Sequence, residues 1–462
     1  MDGPPYPLEK VLRVACQHPF YNRDARYPPS REMVHHLEKE GYAGSGELDI
    51  ADFPVITKTE LAQVISRLMG DDSPDNAYRH QCYATITGGG FKRGTPLLWL
   101  TDSIENRHNR VASGKLVREM GVMEPTDVVL NLHVSGHFYR SLDMTTDILE
   151  HAGATVLPAG SEMSSELVVE ALMGYCITCL AGPVTELIRI AMHISQLSRP
   201  LCGQLKIRKL FYTSEPLSSV QEAFLKHIFG PVTIYSGLGS AEIGFWGVGN
   251  PCLTESPSAV NARDYIFDTR NMLVEILPSD AVGTTIGGHI TVTSLQRLRN
   301  PLVRYNCGDI GSVHQLPAAA RRHVPAEEVE HYRVLRMYGR DPRLTFTWRS
   351  KEFDYGSLFA ILQSPGWNIL QSQVVLDDRQ GGEQLEIRLM RGYGLDGEIP
   401  DENVTSELCR IFSVSTDASF RVIFVSDLSA LERSSTGQKV IRFVDKRKGC
   451  SGTGMCEARH LA

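Results

Sequence analysis

From about residue 80 to about residue 315, short β-branched runs such as VVLNLHV, ATVLP, KLFYTS and VTIYS alternate with helical stretches of ten or more residues. That rhythm predicts an α/β body with parallel strands, because parallel neighbours need a long crossover and a helix is the usual one. From about residue 331 the texture changes to shorter alternating strands, VLRMYG, QSQVVLD, EQLEIRLM and FRVIFVS, with helical segments between them. A smaller α+β module is expected there. At 462 residues the chain is longer than one hydrophobic core usually serves, so a large N-terminal domain over 1–337 and a small mobile C-terminal domain over 338–462 are predicted. Ahead of the body, an amphipathic helix is expected around Met33 to Glu40, and a second over LAQVISRLM after Asp52-Phe53-Pro54-Val55-Ile56-Thr57-Lys58.

Apolar content of 42% and charged content of 22% allow a sizeable core and exclude a largely disordered chain. The net charge of −7, with basic residues scattered, leaves no footprint for nucleic acid or an anionic membrane, and Lys446-Arg447-Lys448 is too short to change that. The N-terminus MDGPPYPLEK has no basic region followed by an apolar stretch, and no segment reaches the ~18 apolar residues of a membrane span, so a cytoplasmic protein is expected. The ten cysteines show no disulfide-framework spacing and are expected to be thiols. Cys176 and Cys179 form a CxxC inside ALMGYCITCLAG, where core packing outweighs a metal site, and Cys450 and Cys456 fall in a Gly/Ser tail.

Five segments can carry chemistry. TITGGGFKRGTP, 85–96, follows a strand; its consecutive glycines let backbone amides approach phosphate oxygens, with Thr85, Thr87, Lys92 and Thr95 as further donors, although an ordinary glycine turn reads the same way. YSGLGSAEIGFWG, 235–247, runs a strand into a Gly-rich turn with one carboxylate, Glu242, an oxygen ligand suited to the Mg²⁺ that accompanies ATP. PLVRYNCGDIG, 301–311, sets Asp309 between glycines, either as an acceptor for ribose hydroxyls or as a β-turn aspartate. MYGRDPR, 337–343, marks the texture change. STGQKVIRFVDKR, 435–447, exposes a lysine on a Gly turn, which either swings to an acyl phosphate to stabilise developing charge or is an ordinary surface lysine.

Taken together and in this order, the segments resemble the adenylate-forming superfamily, and specifically the phenylacetate–CoA ligase family, from about residue 50 to about residue 447. DFPVITKTEL is similar to the family's opening motif, and 121–160 to its substrate-side helix and strand. YTSEPLS, 212–218, resembles its Gly-Glu-Pro-Leu turn, VRYNCGDIG its Arg-Tyr-x-x-Gly-Asp motif and YGRD its hinge motif. The resemblance implies the adenylate-forming fold, a large α/β domain binding ATP and an acid, with a small mobile α+β domain. It also implies a two-step reaction: a carboxylate attacks the α-phosphate of ATP to give an acyl-adenylate and pyrophosphate, and the thiol of coenzyme A then displaces AMP while the small domain rotates. Site roles follow from it. Thr87, Gly88, Gly89, Gly90 and Lys92 would cradle phosphates; Ser214, Glu215, Pro216, Gly239 and Ser240 would border the nucleotide. Glu242 would hold Mg²⁺, Asp309 and Arg340 the ribose, Lys439 would assist adenylation, and the hinge would lie near Asp341. His133, Phe138, Gly237, Gly239, Ala241 and Ile243 would line the acid pocket.

Departures from the family pattern are visible. Leu238 and Ala241 stand where the family has Tyr and Thr, which leaves Tyr235 as the substitute ring for adenine. GGGFKRGTP is longer than the usual loop, Gly437-Gln438-Lys439 carries one residue more than Gly-Lys, and only Cys252 appears where some relatives carry a zinc insert. Phe245 and Trp246 either favour an aryl or medium apolar acid or pack in the core. The leading expectation is an acid–CoA ligase. The alternatives are an amide or ester synthetase, or a carrier-protein-loading ligase, of specialised metabolism, with an amine or carrier-protein acceptor, and an inactive relative serving as a scaffold. A homodimer is compatible with all of them.

Overall fold

The computed structural model describes residues 5–39, 48–87, 97–197, 204–254, 262–278, 287–340, 345–379, 382–395, 397–415, 419–447 and 460–461, with side chains left aside at 38–39, 340, 345, 379 and 460–461. Its centre is a twelve-stranded sheet. Five strands in the order Thr155–Pro158, Val128–Asn131, Cys179–Pro183, Lys209–Thr213 and Thr233–Ser240 run parallel. Successive residues along them bury on opposite faces. Leu130, Leu180, Leu210 and Ile234 enter one apolar cluster, and Val129, Cys179, Phe211 and Tyr235 another. That is why these strands read as unbroken apolar runs: helices cover both sides. Ser165–Gly174, Val184–Ser195 and Ser219–Phe229 pack on the first cluster, and Ser103–Glu119 and Ser141–His151 on the second. Each fully buried Leu, Val or Phe contributes roughly 1.5–3 kcal/mol.

The parallel rhythm ends at Ser240 rather than near 315. Thr233–Ser240 turns back through a tight corner into Gly244–Gly249, antiparallel to it, and the remaining members, Arg263–Asp268, Tyr332–Arg340, Tyr305–His314, Gly288–Ser294 and Met272–Leu277, continue antiparallel in that spatial order. Among the described residues, no helix stands between consecutive strands from 244 to 314, in keeping with their antiparallel pairing. The two-residue strand Ile56–Thr57 adds to Tyr305–His314. Thr57 then caps the helix Lys58–Gly70 in a reciprocal capping box with Glu60. The helix expected near Met33 spans Arg31–Lys39.

Beyond Arg340 the chain forms the hairpin Thr345–Trp348 and Lys351–Asp354, the helices Tyr355–Leu362 and Asp401–Phe412, and a five-stranded sheet. The sheet order is Phe420–Phe424, Gly382–Arg391, Ile369–Arg379, Phe443–Asp445 and His460–Leu461. Its core gathers Trp348, Leu362, Ile387, Leu408, Phe412, Phe420 and Phe443. Leu370, Met390, Leu428, Leu431 and Val440 instead join Leu187, Phe224, Leu225 and Ile228 in the cluster beneath the parallel strands. The small sheet is therefore seated, through apolar contact, on the helices that cover the parallel strands. A Cβ on Gly392 would stand 2.8 Å from Phe224 Cδ2, so glycine is what permits this close approach.

The CxxC expectation holds for Cys179, which is buried, and fails for Cys176, which is exposed, with Lys206 Nζ donating to its sulfur at 3.2 Å. Cys450 and Cys456 lie outside the described residues. Among the described residues no helix is long and apolar enough to cross a membrane.

Candidate active site

The carboxyl ends of the parallel strands bring Asn131, Pro183, Thr213 and Ser240 to one edge of the sheet, the place where open α/β sheets bind ligands. Just past Thr213 the chain turns sharply. Ser214 sits in the left-handed region at φ 74°, and Glu215 N donates to Thr213 O at 2.9 Å to close the turn. A non-glycine residue held there is strained, and such strain concentrates at functional sites.

Onto this corner comes the C-terminal turn. Ser434 and Lys439 close it, with Lys439 N donating to Ser434 Oγ at 3.1 Å and Ser434 N to Lys439 O at 2.8 Å. Lys439 Nζ then donates to Ser214 O at 2.7 Å, and Thr436 Oγ1 to Thr87 O at 3.1 Å. Thr87 is buried at the base of the glycine loop, its hydroxyl accepting from Leu97 N at 3.1 Å and its amide donating to Leu97 O at 3.0 Å. The structure thus brings together Thr87, Ser214 and Lys439 from three motifs far apart in sequence. Gly88, Gly89, Gly90, Lys92 and Asp341 lie outside the described residues, as does the side chain of Arg340.

Glu242 is 4% exposed and its Oε1 lies 2.6 Å from Lys58 Nζ. Burial pushes the carboxyl pKa up, but the Lys58 ammonium, with hydrogen bonds from Lys58, from its own backbone and from Ser240, outweighs burial and leaves it below the ordinary 4.5. The Glu242 carbonyl accepts from the buried Arg297, which fixes the corner from behind. No group of three or more His, Cys, Asp or Glu side chains suited to a metal occurs among the described residues. Mg²⁺ that arrives with ATP needs no such cage, since one or two carboxylates complete a shell of phosphate oxygens and water. Glu242 fits that part: it is held ionised, and its present counter-ion is a 40%-exposed lysine able to withdraw.

Asp309 is the cross-strand partner of Arg340 in the ladder joining Tyr305–His314 to Tyr332–Arg340, so the pair expected to hold ribose is adjacent in the backbone. Cys307, two residues before Asp309, feels both carboxylates: its thiol pKa is pushed well up by burial, then by Asp309 and Glu242.

Other expectations change. Glu215 spends both carboxylate oxygens on Thr185, Oε2 accepting from its amide at 2.9 Å and Oε1 from its hydroxyl at 2.8 Å. The helix Val184–Ser195 begins at Pro183, which has no capping side chain, so Glu215 supplies the missing acceptor and complements the helix dipole. Its carboxylate is structural. Tyr235 does not replace the family's adenine ring: it is buried beneath the sheet, with Lys209 Nζ 5.9 Å from its centroid. Phe245, Trp246 and Ile243 are core residues, so they give no sign of an apolar acid. Gly237 faces Phe245, whose Cε2 would lie 2.4 Å from an added Cβ, and Gly239 faces the Gly244 carbonyl at 2.8 Å, so both permit close strand packing. Gly239, Ser240 and Pro216 are exposed and Ala241 is half-buried. Phe138, 76% exposed, tips the hairpin of Ser135–Gly136 and Tyr139–Arg140, and its backbone carbonyl accepts from Ile86 N at 3.1 Å. His133 is fully enclosed with both ring nitrogens engaged, so it offers nothing to a ligand.

Lys58, Thr436, Thr213, Tyr139 and Arg297 were not read from the sequence as site residues. Tyr139 hydrogen-bonds the Ser214 side chain, and burial, reinforced by the Glu215 and Glu242 carboxylates, raises its phenol pKa. Lys58 had a signal: the Thr57-x-x-Glu60 box puts it in the first helical position, where its side chain can reach a neighbouring carboxylate. Arg297 had none.

No family model and no curated protein matches the sequence. Solved structures do match. A 2-hydroxyisobutyryl-CoA ligase in the postadenylation state, in complex with 2-HIB-AMP, is 18% identical over 95% of this chain and 88% of that chain, with a TM-score of 0.63. The same ligase with 2-HIB-AMP and CoA in the thioesterification state gives 0.55 at 18% identity, over 96% of this chain and 88% of that one. An open conformation with the same ligands gives 0.54 at 19% identity, over 95% and 90%. Over nearly its whole length the chain therefore has the fold of an adenylate-forming acid–CoA ligase.

Proposed function

We propose that the chain activates a carboxylic acid with ATP as an acyl-adenylate, releasing pyrophosphate, and passes the acyl group to coenzyme A. The observation that carries this reading is Lys439, delivered by the C-terminal turn to the Ser214 corner while Thr436 rests on the base of the glycine loop. An ammonium at that junction is positioned to neutralise charge that develops as an acid oxygen attacks the α-phosphate, the kind of preorganised donor that is worth ~10²-fold or more in rate. In this reading Thr87 and the loop that follows, including Gly88, Gly89, Gly90 and Lys92, take the phosphates, and Asp309 with Arg340 takes the ribose. Ser214, Pro216, Gly239, Ser240 and Ala241 border the nucleotide and the acid, and Phe138 stands at the mouth. Glu242 would hold Mg²⁺, which supplies charge neutralisation of the leaving pyrophosphate when bound.

For thioester formation the C-terminal module, 338–462, would turn away about a pivot near Asp341, withdrawing Lys439. The fold likeness to a ligase solved with both 2-HIB-AMP and CoA supports coenzyme A as acceptor over an amine or carrier protein. The test is acid-dependent pyrophosphate release with ATP and Mg²⁺ over a panel of hydroxy, aliphatic and aryl acids, with and without coenzyme A. Release with thioester product is expected; release with no thioester would move the acceptor to an amine or carrier thiol, and no release with any acid would contradict the reading.

A further inference from the structure

Beneath the Ser214 corner, four side chains form one hydrogen-bonded line. Asn131 Oδ1 lies 3.1 Å from His133 N and 2.7 Å from His133 Nδ1, His133 Nε2 lies 2.8 Å from Thr213 Oγ1, and Thr213 Oγ1 lies 3.0 Å from Ser214 Oγ. The direction of every proton in this line can be worked out. A backbone N–H only donates, so the Asn131 atom facing His133 N is the amide oxygen. Asn131 Nδ2 agrees, donating to Thr146 Oγ1 at 3.0 Å and Leu142 O at 3.3 Å. That same oxygen faces Nδ1, so Nδ1 carries the ring proton. The ring is fully enclosed and burial lowers its pKa to about 3, so it holds one proton only and Nε2 is a bare acceptor. Thr213 must then donate its one proton to Nε2, which leaves Ser214 to donate to Thr213.

We propose that His133 is a positioning residue for the adenylation step: through Thr213 it commits the Ser214 hydroxyl proton inward and so pins the strained corner whose carbonyl oxygen accepts from the ammonium of Lys439. The proposal rests on the role given to Lys439 above. It also assigns Ser214 a sense. With its proton spent on Thr213, Ser214 Oγ can only accept, so the Tyr139 phenol that hydrogen-bonds it is the donor, and Ser214 does not donate to a phosphate. His18 provides an internal contrast. Its Nδ1 accepts from Phe20 N at 3.1 Å, so its proton sits on Nε2, facing Asn300 Oδ1 at 3.1 Å; the two enclosed histidines carry opposite tautomers.

The first test needs no activity. Long-range ¹⁵N–¹H NMR of the full chain labelled at histidine, assigned with His133→Gln and His18→Gln, should show His133 protonated at Nδ1 and bare at Nε2, unchanged from about pH 8 to about pH 5. A proton on Nε2, or a titration near the ordinary value of 6.5, would overturn the proposal. The second test cuts the line at Thr213. Thr213→Val should lower kcat of acid-dependent ATP–pyrophosphate exchange about tenfold, the scale of one lost hydrogen bond, with both KM values nearly unchanged, while Thr213→Ser restores it. Competitive acetylation of Lys439, referenced to the exposed Lys115, should rise about threefold in Thr213→Val and not in Thr213→Ser. Unchanged acetylation in Thr213→Val would refute the positioning role even if the chain adenylates an acid. Should no acid be adenylated, the NMR and acetylation results still decide the proposal by themselves.

Discussion

Lys439 donates from its ammonium to the carbonyl oxygen of Ser214, 225 residues earlier in the chain, at 2.7 Å. Neither residue explains this contact locally. Ser214 is held at φ 74° by the turn after a parallel strand, and Lys439 is presented by a turn whose own hydrogen bonds to Ser434 fix its stem. The contact exists because the small sheet is seated on the helix Ser219–Phe229, so the catalytic reading depends on how firmly that seat holds.

Gly392 tests the seat. Adding a side chain there places Cβ 2.8 Å from Phe224 Cδ2 and 3.1 Å from Leu370 Cδ1. Overpacking of this kind costs about 1–3 kcal/mol, so Gly392→Val should unseat the module and lower adenylation about tenfold or more. Limited proteolysis should show new cleavage between the two sheets while each remains folded. A variant with wild-type cleavage and activity would mean the contact does not hold the module in place.

Glu242→Gln keeps the shape of the side chain and removes its charge. The Mg²⁺ concentration giving half-maximal pyrophosphate release should rise about tenfold, since one carboxylate is the protein's share of such a shell. A Mg²⁺ dependence identical to wild type would remove Glu242 from the metal's surroundings.

Lys58→Met tests the same carboxylate from the other side. It leaves Glu242 buried without its partner, and since Lys58 is 40% exposed the loss should be moderate, roughly 1–3 kcal/mol of stability at pH 7. Because the folded pKa of Glu242 lies below its ordinary 4.5, the stabilisation is complete above that value and is lost as pH falls through the depressed one. Urea unfolding of variant and wild type should therefore converge in acid and diverge above about pH 5. A gap independent of pH would show that Lys58 acts by packing alone.

The enclosed His18 and His133 make a second pH expectation. Burial lowers both to about 3 from an ordinary 6.5, so below 6.5 the unfolded chain takes up protons that the folded chain refuses. Stability should fall with pH from 6.5 downward, by about 1.4 kcal/mol per pH unit for each histidine. Denaturant midpoints flat from about pH 6.5 to about pH 5 would show that these rings protonate in the folded chain.

The sequence carried the alternation that makes the parallel strands and the capping box before Lys58–Gly70, because both are local patterns. It did not carry the change to antiparallel pairing after Ser240, since a β-branched run looks alike in either pairing. The motifs marked Thr87, Ser214, Glu242 and Lys439, yet they could not separate side chains that face the site from those that face the core. Phe245, Trp246, Ile243 and Tyr235 stand beside site residues in sequence and are buried in the apolar clusters in space. Glu215 is the same lesson in a polar residue: a motif glutamate whose carboxylate completes a helix that starts with proline. The Lys58–Glu242 pair joins segments 184 residues apart, and no local pattern encodes such a meeting.

The central claim is that Lys439 serves formation of the acyl-adenylate. Rapid-quench single turnover with α-labelled ATP, Mg²⁺ and an accepted acid, without coenzyme A, follows that step alone. Wild type is expected to accumulate acyl-AMP, and Lys439→Ala to form it about 10²-fold or more slowly with an unchanged thermal midpoint. Acyl-AMP forming at the wild-type rate in the variant would contradict the account.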